Sequence, residues 1–316
     1  MSIIPKIFVK NFHYDFYELR KIPPCYSEID HEFSEFLKAG SSESLSTNDF
    51  IVALDAIPPY LGINKNDLDK RLSCFEGRYR IGFAMDLSSA ENATEYLRDQ
   101  LSKKVFKNLR QDRQRLIKQH EITFKNYYGY ISSETCHILL EKLREFVEGR
   151  FEGRTSKHDA LKNWGRYQKS VYDQINAGNA SLFVAFDKDE PISISLNYHF
   201  KEVLNMAINS YSKDYSRFSL GRQMFFWQLE WCYEHNYRLI DLGWFPFEYK
   251  TKFCNAVFRY YTQVIYPRSS LFLKALAFYH FTKMKLIYYL VMLKYSKFDN
   301  PEKKFKDRWM KYQISD

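Results

Sequence analysis

The sequence predicts a mixed α/β fold, with sheets of α+β type and a helical tail. Three observations carry that prediction. A meander of three strand-like segments occupies residues 181–211, single helices and strands then alternate up to residue 267, and the segment from Ser269 onward has helical periodicity. Apolar side chains make up 45% of the 316 residues and charged ones 27%, which excludes a disordered or fibrous chain. Aromatic rings, at 18%, are numerous enough to fill much of the core of about two domains.

The first 130 residues read as mixed α/β. An extended stretch at Ile7–Phe12 precedes a Ser-rich loop at 41–49, the apolar run Phe50–Asp55 and the segment Arg78–Leu87, rich in large alternating residues. One long polar helix is expected from Ser89, acting as N-cap, to about residue 120. Its acids come early and its bases late, as the helix dipole prefers. The later half holds Lys103, Lys104, Lys107, Arg110, Arg113, Arg115 and Lys118, either a solvated face or an anion-binding edge. Two helices are expected within 134–179, the second stopped at Gly178.

Strands follow at 181–187, 191–200 and 202–211, then a helix at 219–235 with Ser219 as N-cap. A strand at 237–243, a short helix around Pro246–Phe253 and a strand at 256–267 complete the order β-β-β-α-β-α-β. That order calls for a mixed sheet with one parallel pair splayed apart, not a doubly wound sheet. In the tail, Lys274 with Lys285 and Lys283 with Lys294 fall on roughly opposite helix faces. This argues against a one-sided amphipathic helix and for packing on the N-terminal half, or on a membrane, with the lysines snorkelling outward.

The net charge of +9 favours polyanionic partners: nucleic acid, phosphorylated cofactors, carrier proteins or anionic lipid. Five cysteines without C-x-x-C spacing predict reduced thiols and a cytoplasmic setting, and the N-terminus lacks an apolar signal core. No run reaches the length of a membrane span. Eight histidines without paired spacing give no metal site, and neither a G-x-S-x-G elbow nor a phosphate-binding P-loop occurs.

The words DYSRFSLGRQMFFWQLEWCYEHNYRLIDLG and FPFEYKTKFCN, in that order, resemble GNAT-fold acyltransferases of the CelD/FemAB-like branch. The matching positions are Ser219-Leu220-Gly221 opening a helix, Asp241-Leu242-Gly243 ending a strand, and Tyr249-Lys250-Thr251-Lys252-Phe253. Upstream, LSKKVFKNLRQDRQRLIKQHEITF is similar to the basic helix closing the branch's degenerate first domain. The resemblance implies tandem GNAT-like domains: a degenerate one at 1–128, an acyltransferase domain at 129–268, and a helical basic tail at 269–316. It also implies transfer of an acyl group from acyl-CoA or acyl carrier protein to an amine, on a cell-envelope glycan precursor or related metabolite, without metal. Aminoacyl-tRNA as donor remains an alternative. So does a non-catalytic GNAT-like scaffold that binds RNA or anionic membrane.

Residue by residue, Arg217, Ser219, Leu220, Gly221, Arg222 and Gln223 are the candidate pyrophosphate cradle. Backbone N–H groups and the helix dipole form an anion site there, and the arginines add cationic forks. They match the Gln/Arg-x-x-Gly-x-Gly/Ala signature only in part, which keeps the donor open. Lys250 is the first candidate for neutralising charge at the reacting centre. Asp241 and Glu248 are candidate bases for the amine proton, with Asp241 equally suited to shaping its loop. Tyr249 is placed to position the acceptor or the leaving thiolate, or to serve as a core ring.

Overall fold

The computed structural model describes residues 6–26, 50–63, 65–152, 159–244 and 247–295. The Ser-rich loop expected at 41–49, Pro246 and the tail beyond Tyr295 lie outside the described residues. In chain order the elements are β1 (Lys6–Asn11), β2 (Phe50–Ile57), β3 (Leu72–Asp86), α1 (Ala93–Gln100), α2 (Lys103–Gln119) and β4 (Ile122–Tyr128). Next come α3 (Ser133–Phe151), α4 (Asp159–Lys162), α5 (Trp164–Asn176), β5 (Ala180–Asp187), β6 (Glu190–Phe200) and β7 (Val203–Tyr211). The chain continues with α6 (Leu220–Glu234), β8 (Leu239–Trp244), α7 (Glu248–Phe253), β9 (Ala256–Pro267) and α8 (Leu271–Tyr295).

The predicted run β-β-β-α-β-α-β over the second half is β5 to β9. The single long helix expected from Ser89 is instead two helices. The Asp86 carboxylate accepts from the Ser88 N–H at 3.1 Å, and the Ser89 hydroxyl donates to the Asp86 carbonyl at 2.9 Å, so Ser89 closes a tight turn. Asn92 caps α1 through the Glu95 N–H, Leu101 is extended, and Ser102 caps α2 through the Val105 N–H. Strand β4 follows directly and was not among the expected elements, although Ile122 and Phe124 alternate with more exposed neighbours along it.

By contacts the chain divides into two compact units. One comprises residues 1–83, 244–248 and 256–316; the other comprises 84–243 and 249–255. The basic helix α2 thus belongs to the second unit and β9 to the first.

In the first unit the strand order is β1-β2-β9-β3, with β1 parallel and β9 antiparallel to β2. Helix α8 covers this sheet, burying Leu273 and Ala277 against Ile51, Ala53, Val264 and Tyr266. Gly77 is small for a packing reason: a Cβ there would come within 2.7 Å of the Phe281 ring of α8.

In the second unit the order is β8-β7-β6-β5-β4. Strands β4 to β7 form an antiparallel meander, and β7 pairs parallel with β8. Helix α6 lies on this sheet with Leu220, Met224 and Trp227 in a cluster that includes Leu116, Phe183 and Ile192. Its heavy aromatic load explains why so few turns suffice to anchor it.

Candidate functional site

The site is built where β7 and β8 separate. Their parallel register runs Val203 to Leu239, Leu204 to Ile240 and Asn205 to Asp241, and no further. Strand β7 continues to Tyr211, and β8 continues through Gly243, whose φ of +75° turns the chain. The predicted parted pair is therefore present. Asp241, at its fork, is fully buried, and its Oδ1 accepts the Gly243 N–H at 2.7 Å. That bond shapes the bend after β8.

Lys250 enters the fork from α7. Its Nζ lies 3.9 Å from the position a Cβ would take on Gly243, and the residue is only 4% exposed. Burial pushes its pKa down from 10.5 to about 8, opposed by the nearby Cys254 and Asp241. Helix α1 secures the far end of this segment. Tyr96 donates its hydroxyl to the Phe253 carbonyl at 2.8 Å, and the Gln100 amide donates to the Lys252 and Cys254 carbonyls. Tyr249 stacks on Phe225 with centroids 5.7 Å apart, and burial holds its phenol at about 12, so it packs as a neutral ring. Glu248 is exposed at the first residue of α7.

Two residues at the fork escaped the sequence reading. Asn205, opposite Asp241, is 1% exposed, and its Oδ1 has no hydrogen-bond partner among the described residues. Such a buried acceptor is poised for a donor N–H. Cys254 is fully buried, and burial raises its thiol pKa, which argues against a nucleophilic thiolate. A polar Asn in an apolar strand, in register with the Asp-x-Gly word, was the available signal.

The candidate anion cradle is only partly as expected. Ser219 stands at the N-cap position of α6 with φ +55°, but its hydroxyl donates to Asp112 of α2 at 2.7 Å and does not cap the helix. The Asp112 carboxylate is also paired with Arg115. Leu220 is fully buried, so only its backbone can serve a ligand. Gln223 is fully buried too and donates to the Leu109 carbonyl of α2 at 2.9 Å, so its side chain is a strut between helices, not a ligand for phosphate. Arg217 lies over the Phe218 ring and donates to Gln119 at 3.2 Å. Arg222 is exposed, and among the described residues the Leu220 and Gly221 N–H groups have no acceptor. The cradle thus reduces to two N–H groups with Arg222, and Arg217 near by in sequence.

The turn leading into α6, residues 213–218, is anchored by a polar cluster. The ionised Asp187 accepts from the Tyr215 hydroxyl at 2.7 Å and from His120 Nδ1 at 2.6 Å. The Tyr215 hydrogen bond is the main cause of the lowered Asp187 pKa.

Gly221 is required by its neighbour on β7. A Cβ there would meet the Tyr211 ring at 2.7 Å, so Gly221→Ala is expected to destabilise the protein by about 1–3 kcal/mol through overpacking. A fall in the urea midpoint without change in slope checks this; an unchanged midpoint would show that the ring swings aside freely.

Among the described residues no cluster of three or more His, Cys, Asp or Glu could hold a metal ion. All five cysteines are free thiols.

Residues 103–251 match the family model of the acetyltransferase (GNAT) domain. No match was found among the curated proteins. Several solved structures are similar. The C-terminal domain of a putative lysylphosphatidylglycerol synthetase from Agrobacterium fabrum is 15% identical with a TM-score of 0.43, over 68% of this chain and 67% of that one. FemX is 12% identical with a TM-score of 0.42, over 60% of this chain and 62% of that one. An N-acetyltransferase from Thermoplasma acidophilum in complex with coenzyme A is 13% identical with a TM-score of 0.30, over 37% of this chain and 74% of that one. The matched segment contains α2, the meander, α6, the parted strands and Lys250, the elements from which the site was assembled. The chain therefore carries a GNAT acetyltransferase domain and is an enzyme of the N-acyltransferase type.

Proposed function

We propose that this enzyme takes an acyl group from a thioester, acyl-CoA or acyl carrier protein, and delivers it to the amine of a small acceptor such as a cell-envelope glycan precursor, working in the cytoplasm. The ordered words ending in Tyr249–Phe253 support placement in the CelD/FemAB-like branch. The observation that carries the reading is the fork itself: β7 and β8 pair for three residues and then part beside a buried lysine.

Beyond Asn205 and Asp241, the strand edges offer peptide groups to a pantetheine arm, which would lie between them as an added strand does. A backbone N–H in the fork would hold the tetrahedral oxyanion. The Leu220 and Gly221 N–H groups, with Arg222, suit a pyrophosphate. The amine nitrogen attacks the thioester carbonyl carbon, the C–S bond breaks, and the amine proton ends on the departing sulfur. Lys250 is suited to relay that proton. A pKa of about 8 lies close to the roughly 8.5 of a thiol, so neutral lysine accepts from the amine and the resulting ammonium gives to the thiolate. This favours Lys250 over the two carboxylates, since Asp241 is engaged with Gly243 and Glu248 is exposed.

Thermal denaturation of the full chain with acetyl-CoA, longer acyl-CoAs, acyl carrier protein and aminoacyl-tRNA tests the donor. A thioester at about 100 times its Kd is expected to stabilise by roughly 3 kcal/mol, a rise of several degrees in Tm. In Arg222→Ala the rise should shrink as affinity falls about tenfold. Stabilisation by aminoacyl-tRNA with none from any thioester would overturn the donor assignment.

A further inference from the structure

Helix α8, in the first unit, presents two unlike apolar faces. With about 100° per residue and Leu273 taken as zero, the side chains packed on the sheet, from Leu273 and Ala277 through Phe281 and Met284 to Tyr288, fall within about 0–80°. The opposite side, centred near about 200°, is equally apolar and faces outward. Leu271, Phe278, Tyr279, Leu286, Leu290 and Leu293 are each more than half exposed there. The exposed lysines fall between the two faces: Lys274 and Lys285 near about 100–120°, and Lys283 near about 280°. The lysines on opposite sides, which in the bare sequence argue against a membrane helix, are in the folded unit the two borders of one outward apolar face.

We propose that this face of α8 is an interfacial docking surface for an anionic lipid bilayer. The helix would lie in the plane of the membrane, its outer side chains among the acyl chains and its lysines reaching the phosphates on either flank. The pattern fits that occupant in three ways. Single exposed apolar residues are ordinary, but a row of them along a 25-residue helix marks an interaction surface. Tyr279 and Tyr289 on the outer side are the amphipathic rings that settle at headgroup level. Lysines at the borders of an apolar face, with a net charge of +9, complement lipid phosphate. A second copy on the same face fits worse, since α8 contains no Asp or Glu and self-pairing would set lysine rows against each other. The helix lies on the bilayer and does not cross it: among the described residues no helix is long and apolar enough to span one.

The test is co-sedimentation of the full chain with vesicles of phosphatidylcholine alone and with about a third phosphatidylglycerol. Wild type is expected to partition onto the anionic vesicles, with about a fivefold loss of affinity for each of Lys274, Lys283 and Lys285 changed to Gln. The variant Leu286→Gln/Leu290→Gln/Leu293→Gln should bind at least tenfold more weakly to anionic vesicles, with little change in Tm, because these side chains are each more than half exposed. Light scattering is run in parallel. Wild type that ignores anionic vesicles overturns the proposal. So does a dimer that the triple Gln variant converts to monomer, which would assign the face to a second copy. Neither result depends on which acyl donor the other unit accepts.

Discussion

Replacing Lys250 with methionine is expected to stabilise the protein by about 3 kcal/mol at pH 7 while lowering transfer by roughly a hundredfold or more. Both effects come from one fact: an ammonium buried to 4% exposure at the β7–β8 fork. At pH 7 the lysine is protonated in both folded and unfolded chains, and the folded chain holds that charge in a poorly solvated place. Its pKa of about 8 when folded, against 10.5 when unfolded, expresses the cost at about 1.4 kcal/mol per pH unit. Between pH 8 and 10.5 the unfolded chain binds more protons, so wild-type stability rises with pH through that window. Lys250→Met, of similar length and uncharged, should lack the rise. Urea unfolding at pH 7 and pH 10 and thiol release from the preferred thioester make the two measurements. A methionine variant that is less stable at pH 7 and still active would refute the site. Such opposed effects are the signature of a residue kept for function at the expense of stability.

Acid should destabilise the second unit through His199, in a large pH effect for a single group. His199 on β6 is 3% exposed, with its ring nitrogens 2.7 Å from the Tyr237 hydroxyl and 2.7 Å from the Ser181 hydroxyl. The rings of Tyr128, Trp231 and Tyr237 surround it with centroids 4.6, 5.8 and 5.5 Å away. This setting satisfies a neutral imidazole and repels a charged one, so burial pushes its pKa from 6.5 down to about 3. In that interval the unfolded chain binds the extra proton, and stability falls as pH drops from 6.5 towards 3, by up to roughly 5 kcal/mol. His199→Gln, which keeps hydrogen-bonding capacity without the titration, is expected to start less stable at pH 7 and to lose distinctly less between pH 6.5 and 4. Denaturant midpoints at several pH values provide the comparison; equal acid slopes in both proteins would place the acid sensitivity elsewhere.

Local signals in the chain account for much of this molecule, and where they failed the reason is specific. The β5–β6–β7 meander is legible because Pro191 and the Lys188-Asp189-Glu190 turn separate apolar runs of strand length. The break at Leu101 was missed because Ser89, Asn92 and Ser102 are all competent caps; Asp86 decides by engaging the Ser88 N–H and Ser88 hydroxyl. Strand β4 was hidden by its half-polar composition, since an edge strand pairing only with β5 buries one face.

The candidate site divides in the same way. That Lys250 and Asp241 belong to one neighbourhood followed from word order, because strand, helix and strand lengths leave the parallel crossover few ways to close. That Gln223 and the Ser219 hydroxyl turn instead to α2 could not follow, for one turn of helix carries residues to every side and only the partner's position selects among them. Periodicity along the chain thus determined the elements from β5 to β9, their order and the parallel pair. Tertiary packing alone decided where that pair parts, how deeply Lys250 is buried, and that the lysines of α8 border an outward apolar face, because burial and the pKa that follows from it are properties of neighbours distant in sequence.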